Sequence, residues 1–343
     1  MEILRFDSDY MEGAHPEILR RLSEINFEKN TAYGYDRYCE TARQKIREAC
    51  GVAGAEVYFL SGGTQTNAVA INAFLEPYEG VVAAETGHIN VHEAGAIEAG
   101  GHKILTLPQH GGKIRADELL ALLRKFYSDE AREHMVRPGM VYISHPTEYG
   151  TLYSAGELRV LRRICDEYGM ALYLDGARLG YGLAATGTDV TLPLIAECCD
   201  AFYIGGTKVG ALFGEALVLP QAGRIKQMFT RIKRQGALLA KGWLLGLQFD
   251  TLFTDGLYYR ISAHAVRMAE KLERGFCERG YRMFIKTPTN QKFVILEDEV
   301  LRGLSRRVGF CFWEKPDEEH TVVRFATSWA TKEENVERLL ELI

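Results

Sequence analysis

Seven short apolar runs lie between residues 55 and 220 and alternate with stretches of helical periodicity. They occupy residues 57–60, 81–84, 104–107, 140–143, 171–174, 201–204 and 216–219. The runs are apolar throughout instead of alternating with polar residues, which is typical of strands that helices cover on both faces. This pattern predicts a wound α/β domain with a largely parallel sheet.

The helical stretches between the runs carry termination signals. Residues 116–127 and 158–168 have the spacing of amphipathic helices. Ser154 and Glu157 form a capping-box pair before the second stretch, and Gly169 follows it at the position of a helix C-cap. We therefore expect a complete helix between the fourth and fifth strands.

The pattern changes after about residue 240. Residues 244–257 and 261–280 are predicted helices, residues 283–285, 292–296, 309–313 and 321–326 are predicted strands of a small antiparallel sheet, and a last helix begins at Lys332. We expect three parts: an N-terminal arm and helix at 1–30, a large α/β domain at 31–240, and a small C-terminal α+β domain at 241–343.

Composition excludes several classes of function. The 343 residues include 46 acidic and 41 basic side chains, so no basic field attracts nucleic acid or anionic lipid. The seven cysteines contain no C-x-x-C, which predicts neither a metal centre nor a disulfide framework. The neighbouring Cys198 and Cys199 are interpreted as core-facing thiols, with a redox pair as the alternative. No signal peptide or membrane span is recognised, so we expect a cytoplasmic protein.

The residues that follow the strands carry the chemistry, because ligands of open α/β sheets collect at the carboxyl ends of the strands. The run at 57–60 leads into a loop with Gly62, Gly63 and Thr64 before a helical stretch. Bare amides at a helix N-terminus favour phosphate, although an ordinary strand-to-helix turn is the alternative. The loop matches neither the dinucleotide nor the nucleoside-triphosphate motif.

Two further strands end in ionisable residues. Asp175 follows the run at 171–174, where an unpaired charge is costly, so its partner is either a ligand cation or Arg178. Lys208 follows the run at 201–204 and the glycines 205 and 206, and a shielded lysine serves as an amine nucleophile or base. A phosphate cradle, an acid and a lysine on one sheet edge are together what pyridoxal 5′-phosphate requires.

The chain resembles the fold-type I pyridoxal-phosphate enzymes, and within them the threonine aldolase/β-eliminating lyase family. The most specific matches are Asp175-Gly176-Ala177-Arg178-Leu179 and the H-I-x-x-x-E-x-G pattern that begins at His88; residues 6–9, 32–36, 61–67 and 323–325 and the lysine loop also match. The resemblance implies a three-layer sandwich around a mainly parallel seven-stranded sheet, with a small C-terminal domain.

The resemblance also implies roles for individual residues. Lys208 would be the Schiff-base lysine and Asp175 the partner of the pyridinium nitrogen. His88 would stack on the ring, with a helix cap as the alternative. Cofactor contacts are implied for Gly62, Gly63, Thr64, Thr207 and Arg178, and contacts to the substrate carboxylate for Ser8, Arg178 and Arg324. The alternative for Arg324 is an interdomain ion pair.

Two segments depart from the family pattern. Where threonine aldolases typically read E-N-T-H-N, this chain has Ser144-His145-Pro146-Thr147-Glu148, which places Glu148 at the position of a candidate catalytic histidine. A carboxylate can serve as a general base. The G-G-G-M-R-Q segment is replaced by residues 235–242. This departure puts in doubt the contacts that the family segment usually supplies, including any that it supplies from a neighbouring subunit.

The resulting hypothesis is a pyridoxal-phosphate lyase that cleaves the Cα–Cβ bond of a β-hydroxy-α-amino acid to glycine and an aldehyde. Glu148, His88 or His92 would take the hydroxyl proton. The alternatives are β-elimination or other chemistry at Cα, a cofactor-binding protein without turnover, and a protein that binds a phosphorylated metabolite. The resemblance implies a homodimer or homotetramer with shared active sites.

Overall fold

The computed structural model describes residues 3–343, which form two main sheets and the helices that cover them. The strands are β1 (Leu4–Arg5), β2 (Glu56–Leu60), β3 (Glu79–Ala84), β4 (Ile104–Leu107), β5 (Arg137–Ser144), β6 (Ala171–Asp175), β7 (Ala201–Gly205), β8 (Glu215–Leu219), β9 (Arg282–Ile285), β10 (Gln291–Glu297), β11 (Val308–Gly309), β12 (Cys311–Glu314) and β13 (His320–Ala326).

The helices connect these strands and flank them. They are α1 (Pro16–Glu24), α2 (Arg37–Cys50), α3 (Gly63–Phe74), α4 (His88–Val91), α5 (Ala96–Ala99), α6 (Ala116–Ser128), α7 (Ala155–Tyr168), α8 (Leu179–Leu183), α9 (Leu192–Cys198), α10 (Met228–Arg234), α11 (Trp243–Leu252), α12 (Leu257–Glu278), α13 (Asp298–Leu304) and α14 (Glu333–Leu340), with a 3₁₀ turn at Arg132–His134.

The seven apolar runs form one seven-stranded sheet in the order β2-β8-β7-β6-β5-β3-β4. Only β8 runs antiparallel to its neighbours in this sheet, so the prediction of a mainly parallel sheet is confirmed. Leu172 and Leu174 pack into one hydrophobic cluster, whereas Ala171 and Tyr173 pack into another on the opposite face. Both faces are therefore covered, which explains why the strands lack polar alternation.

Local signals predicted α7 well. The Ser154 hydroxyl accepts from the Glu157 N–H, and the Glu157 carboxylate accepts from the Ser154 N–H. Gly169 ends the helix in the left-handed region, with φ of 66°. This conformation costs glycine little, so the helix ends there.

The second sheet has the order β12-β13-β10-β9 and is antiparallel throughout, as predicted. It shares a hydrophobic cluster with α12 and α14. The predicted strand at 309–313 is two strands, because β11 pairs with β1 of the N-terminal arm while β12 pairs with β13. The domain boundaries remain a prediction.

The break between α11 and α12 lies earlier than the sequence pattern indicates. The two helices are separated by residues 253–256, and Gly256 has a φ of 66° at the start of α12. The apolar spacing continues across this turn, so periodicity alone extended the first helix to 257.

All seven cysteines have free thiols, and the buried Cys198 and Cys199 agree with the core-facing interpretation. No helix within residues 3–343 combines the length and the apolar composition needed to cross a membrane.

Candidate active site

A cavity of about 310 Å³ opens at the carboxyl edge of the large sheet. Nine of the predicted site residues line it: Gly62, Gly63, Thr64, His88, Glu148, Asp175, Arg178, Thr207 and Lys208. A larger cavity of about 1040 Å³ lies beside α1 and α11, but its buried Asp250 is already paired with Arg21 and Lys45. The smaller cavity, which contains the predicted site residues, is therefore the candidate active site.

The glycine loop presents bare backbone to this cavity. Gly62 is the N-cap of α3 and supplies no capping side chain, so the first N–H groups of the helix lack a side-chain partner there. A Cβ on Gly62 would meet no atom within 4 Å, while one on Gly63 would lie 3.0 Å from the Tyr203 hydroxyl. The loop is thus open to a ligand at Gly62 and leaves no room for a side chain at Gly63, and its amides and helix dipole suit a phosphate group.

Asp175 ends β6 and is 4% exposed. Its Oδ1 accepts from the Tyr203 hydroxyl at 2.6 Å and the Ala177 N–H at 3.0 Å, and its Oδ2 accepts from the Tyr142 hydroxyl at 2.8 Å and the Asn67 amide at 2.9 Å. Burial raises the pKa of this carboxyl, but the charge of His88 and these hydrogen bonds outweigh it and hold the pKa below its usual value. Asp175 is therefore ionised at neutral pH.

Asn67 connects Asp175 to a second buried carboxylate. Its amide nitrogen also donates to Oε1 of Glu93 at 2.7 Å, and its oxygen accepts from the Tyr173 hydroxyl at 2.9 Å. The same Glu93 oxygen is 2.7 Å from Nδ1 of His88. Because the Tyr173 hydroxyl fixes the direction of the amide, the chain of contacts joins the imidazole to Asp175.

His88 is held at the cavity by this network. Burial lowers the pKa of the imidazole, but the hydrogen bond to Glu93 and the charges of Asp175 and Glu93 raise it above its usual value. Its side chain caps no helix, because the cap position of α4 is Gly87. His92, the other histidine considered as a base, is exposed and does not line the cavity.

Lys208 extends from the loop after β7 into the cavity. Its ammonium lies 5.7 Å from the centre of the Tyr10 ring. Burial and the nearby Arg178 lower the pKa of this amine, although Asp9, Asp175 and Glu215 counteract them. A larger fraction of the amine is therefore neutral near physiological pH than for an exposed lysine, as a nucleophile requires.

Arg178 pairs with the N-terminal arm instead of with Asp175. Its Nε and Nη2 donate to the two oxygens of Asp9 at 2.7 and 3.0 Å, and Asp9 is fully buried. The local partnership considered between Asp175 and Arg178 is therefore wrong. In residues 3–343 the remaining nitrogen, Nη1, forms no hydrogen bond, and Arg178 lines the cavity, so this nitrogen can bind a ligand.

Ser8 and Arg324 are not among the residues that line the cavity. Arg324 donates to the Gln291 side chain at 3.1 Å and to the Asp7 carbonyl at 2.9 Å. Within the described residues it forms no ion pair, so the interdomain ion pair is not observed. The Ser8 hydroxyl and the Nε of Arg324 are buried and lack hydrogen-bond partners in residues 3–343.

Glu148 lies beside His88. Its Oε1 accepts from the Ser144 hydroxyl and the His88 N–H, whereas its Oε2 is buried without a partner in the described part of the chain. Burial raises the pKa of Glu148, and the hydrogen bond from Ser144 offsets part of that effect. A carboxylate with one free oxygen and a raised pKa is suited to accept a proton.

These residues fit pyridoxal phosphate. The bare amides of α3 suit its phosphate, and Lys208 and Asp175 line the same cavity. Asp175 already has four donors, which fill the acceptor sites of a carboxylate. A pyridinium N–H would replace one of them, and Tyr203 is the side-chain donor that lines the cavity.

Sequence reasoning missed several contributors. The partner of Arg178 lies 169 residues away in sequence, so no local pattern predicts it. Asn67 and Glu93 lie in segments that match the family, but the sequence pattern assigned them no role. Tyr203 was interpreted only as an apolar residue of a predicted strand. Glu215 had one weak signal, since it is an acidic residue directly before an apolar run.

Comparison with known proteins supports the family assignment and the pyridoxal-phosphate site. The β-eliminating lyase family model matches residues 5–299. A low specificity L-threonine aldolase of Pseudomonas sp. is 29% identical, covering 98% of this chain and 95% of that protein. The threonine aldolase structure of Leishmania major is 41% identical with a TM-score of 0.95, covering 98% of both chains. Aspartate aminotransferase of Thermus thermophilus, at 15% identity, has a TM-score of 0.72 and covers 99% of this chain and 91% of its own, which supports the fold-type I architecture.

Proposed function

The chain belongs to the β-eliminating lyase family and is a pyridoxal-phosphate-dependent lyase, and from this premise we propose that it cleaves threonine-like β-hydroxy-α-amino acids to glycine and an aldehyde. The observation that carries the proposal concerns Glu148, which lines the same cavity as Lys208 and whose buried Oε2 has no hydrogen-bond partner in residues 3–343. Cleavage of the Cα–Cβ bond requires a group that removes the β-hydroxyl proton. Glu148 can act as this group, because one of its carboxylate oxygens accepts no hydrogen bond in residues 3–343.

The chain's own residues would bind the substrate in a fixed orientation. We propose that Arg324 and Ser8 hold its carboxylate, because the buried Nε of Arg324 and the buried hydroxyl of Ser8 have no hydrogen-bond partner in residues 3–343. Arg178, fixed by Asp9, would add its remaining nitrogen. An arginine fork that binds a carboxylate limits rotation about Cα, so it decides which bond to Cα is broken.

Other residues would hold the cofactor. Lys208 would attach it covalently, and Gly62, Gly63 and Thr64 would bind its phosphate with backbone amides and a hydroxyl. Asp175 would keep the pyridine nitrogen protonated, and His88 would cover the ring. When bound, pyridoxal phosphate takes up the electron pair that the broken bond leaves on Cα.

We further propose that the chain assembles into a homodimer or a homotetramer. Two surface segments meet away from the cavity: the Tyr33 N–H donates to the Ala240 carbonyl at 3.0 Å, and the rings of Tyr35 and Phe229 lie 5.5 Å apart. Tyr35 is 69% exposed, and a large exposed aromatic next to a second aromatic suits a protein contact. Light scattering at micromolar concentration should give twice or four times the chain mass.

Product analysis tests the proposed reaction. The chain with pyridoxal phosphate should convert threonine, allo-threonine or phenylserine to glycine and the corresponding aldehyde in equal amounts. Lys208→Ala is the control and should release neither product above background. Release of ammonia and 2-oxobutanoate from threonine would establish β-elimination instead. A change in cofactor absorbance without any product would identify a binding protein without turnover.

A further inference from the structure

Glu215 is a buried carboxylate at the first position of β8 that has no role in the proposed reaction. It is 4% exposed and lines the same cavity as Lys208. Its backbone lies opposite Leu60 of β2 on one side and Gly205 of β7 on the other. It therefore stands between the start of the glycine loop and the start of the lysine loop.

Both oxygens of Glu215 are used by the lysine loop. Oε2 accepts from the Gly206 N–H at 3.0 Å, and Oε1 accepts from the Thr207 hydroxyl at 2.8 Å. The Thr207 oxygen in turn accepts from the Gly214 N–H at 2.9 Å. The two residues that precede Lys208 are thus tied to one carboxylate.

This arrangement changes the interpretation of Thr207. Its only hydroxyl proton points to Glu215, so in this arrangement Thr207 has no proton to donate to a phosphate oxygen. The family resemblance implied a cofactor contact for Thr207. The geometry instead makes it a link between Glu215 and the lysine backbone.

A buried carboxylate requires a compensating positive charge. Burial raises the pKa of Glu215 to about 7, although its hydrogen bonds and the Lys208 charge act in the opposite direction. In return, the Glu215 charge is one of those that stabilise the Lys208 ammonium. The charged and titratable groups that face Lys208 are Arg178, Asp9, Asp175, Glu215, His88 and Tyr10.

We propose that Glu215 is a positioning residue for Lys208, holding the lysine loop through Gly206 and Thr207 and facing the amine with its charge. The inference rests on the proposed attachment of the cofactor to Lys208. It assigns Glu215 two separable effects, one on the placement of the amine and one on its protonation.

Covalent attachment of pyridoxal phosphate, followed by absorbance against pH without substrate, measures both effects. The neutral amine attacks the aldehyde carbon and the carbonyl oxygen leaves as water, so the rate rises with pH to a plateau. The plateau reports placement of the amine, and the midpoint reports its pKa. Circular dichroism confirms that each variant is folded.

Glu215→Gln should lower the plateau rate at least about tenfold and move the midpoint to lower pH, because the ammonium loses a stabilising negative charge. Thr207→Val should lower the plateau and leave the midpoint in place. Glu56→Gln is the matched control, since Glu56 lies at the other end of the same strand pair, opposite Leu219. It should match the unmodified chain in both quantities.

An unchanged plateau or an unchanged midpoint in Glu215→Gln would overturn the proposal, as would equal effects of Glu56→Gln. Borohydride trapping on the unmodified chain separates this failure from that of the proposed function. If trapping labels Lys208 and Glu215→Gln behaves normally, only the role of Glu215 is rejected. If trapping labels another lysine, the proposed attachment site and the role of Glu215 are both rejected.

Discussion

The backbone N–H of His88 donates a 2.9 Å hydrogen bond to Oε1 of Glu148. The Ser144 hydroxyl donates to the same oxygen at 2.6 Å, so one side of the carboxylate is fixed. The other oxygen is buried and has no partner in residues 3–343. Glu148 is therefore oriented by two donors and keeps one oxygen for the substrate.

Glu148→Gln should lower aldehyde release from threonine or phenylserine by about 10²-fold, the scale of general base catalysis, because an amide cannot take up the hydroxyl proton. Glycine has no β-hydroxyl, so its binding, followed by cofactor absorbance, should survive. Equal loss of glycine binding and aldehyde release would mean that Glu148 only supports the site.

The pH profile provides the control for this prediction. Burial raises the pKa of Glu148, and only the ionised form accepts a proton. Aldehyde release by the unmodified chain should therefore fall as the pH drops through that raised pKa. Glu148→Gln should lose this acid limb.

Glu93→Gln should lower the pKa of His88. Burial favours the neutral imidazole, and the hydrogen bond and charge of Glu93 are among the contributions that overcome it. Without the carboxylate charge the imidazolium is less stable, so the pKa moves down. Titration of the histidine ring protons by NMR measures the shift, with the partly exposed His320 as an internal control. An unchanged His88 pKa would contradict the role given to Glu93.

Asp175→Asn should retain cofactor but lose most turnover, because the pyridine nitrogen loses its ionised partner. The substitution also leaves a donor in the four-donor site unpaired, which costs about 1–3 kcal/mol of unfolding free energy. The lowered pKa of Asp175 means that its charge stabilises the fold above its ordinary pKa of about 3.9, and that this contribution is lost as the pH falls through the folded value.

Urea unfolding of the cofactor-free protein at pH 7 and at pH 3 tests the structural part of that prediction. The difference between unmodified chain and Asp175→Asn should be larger at pH 7. Normal turnover by the variant would reject the pyridinium role.

Arg324→Lys should raise KM for the amino acid about 10-fold or more while leaving cofactor attachment intact. A lysine keeps the charge but cannot present two donors in a plane to a carboxylate. The unpaired Nε of Arg324 is one of the donors that would be lost. Steady-state kinetics separate this effect from a general loss of structure, which would lower kcat and cofactor attachment together.

The sheet and its edge were predictable because their signals are local. Four apolar residues before Asp175 and before Lys208 place both at carboxyl ends of strands, and the structure brings both into one cavity. The partner of Arg178 was not predictable, since Asp9 lies 169 residues away in sequence, in the arm whose strand β1 pairs with β11. The orientation of Glu148 likewise depends on a contact that is distant in sequence, because the His88 N–H that binds its Oε1 lies 60 residues away.

Lys208 is the residue on which the proposed active site depends most directly. The purified chain loaded with pyridoxal phosphate, reduced with borohydride and digested, should yield a single pyridoxyl-modified peptide that carries the label on Lys208. Lys208→Arg should yield none. A label on another lysine, such as Lys241, or an unlabelled Lys208 in the loaded chain, would contradict the proposed active site.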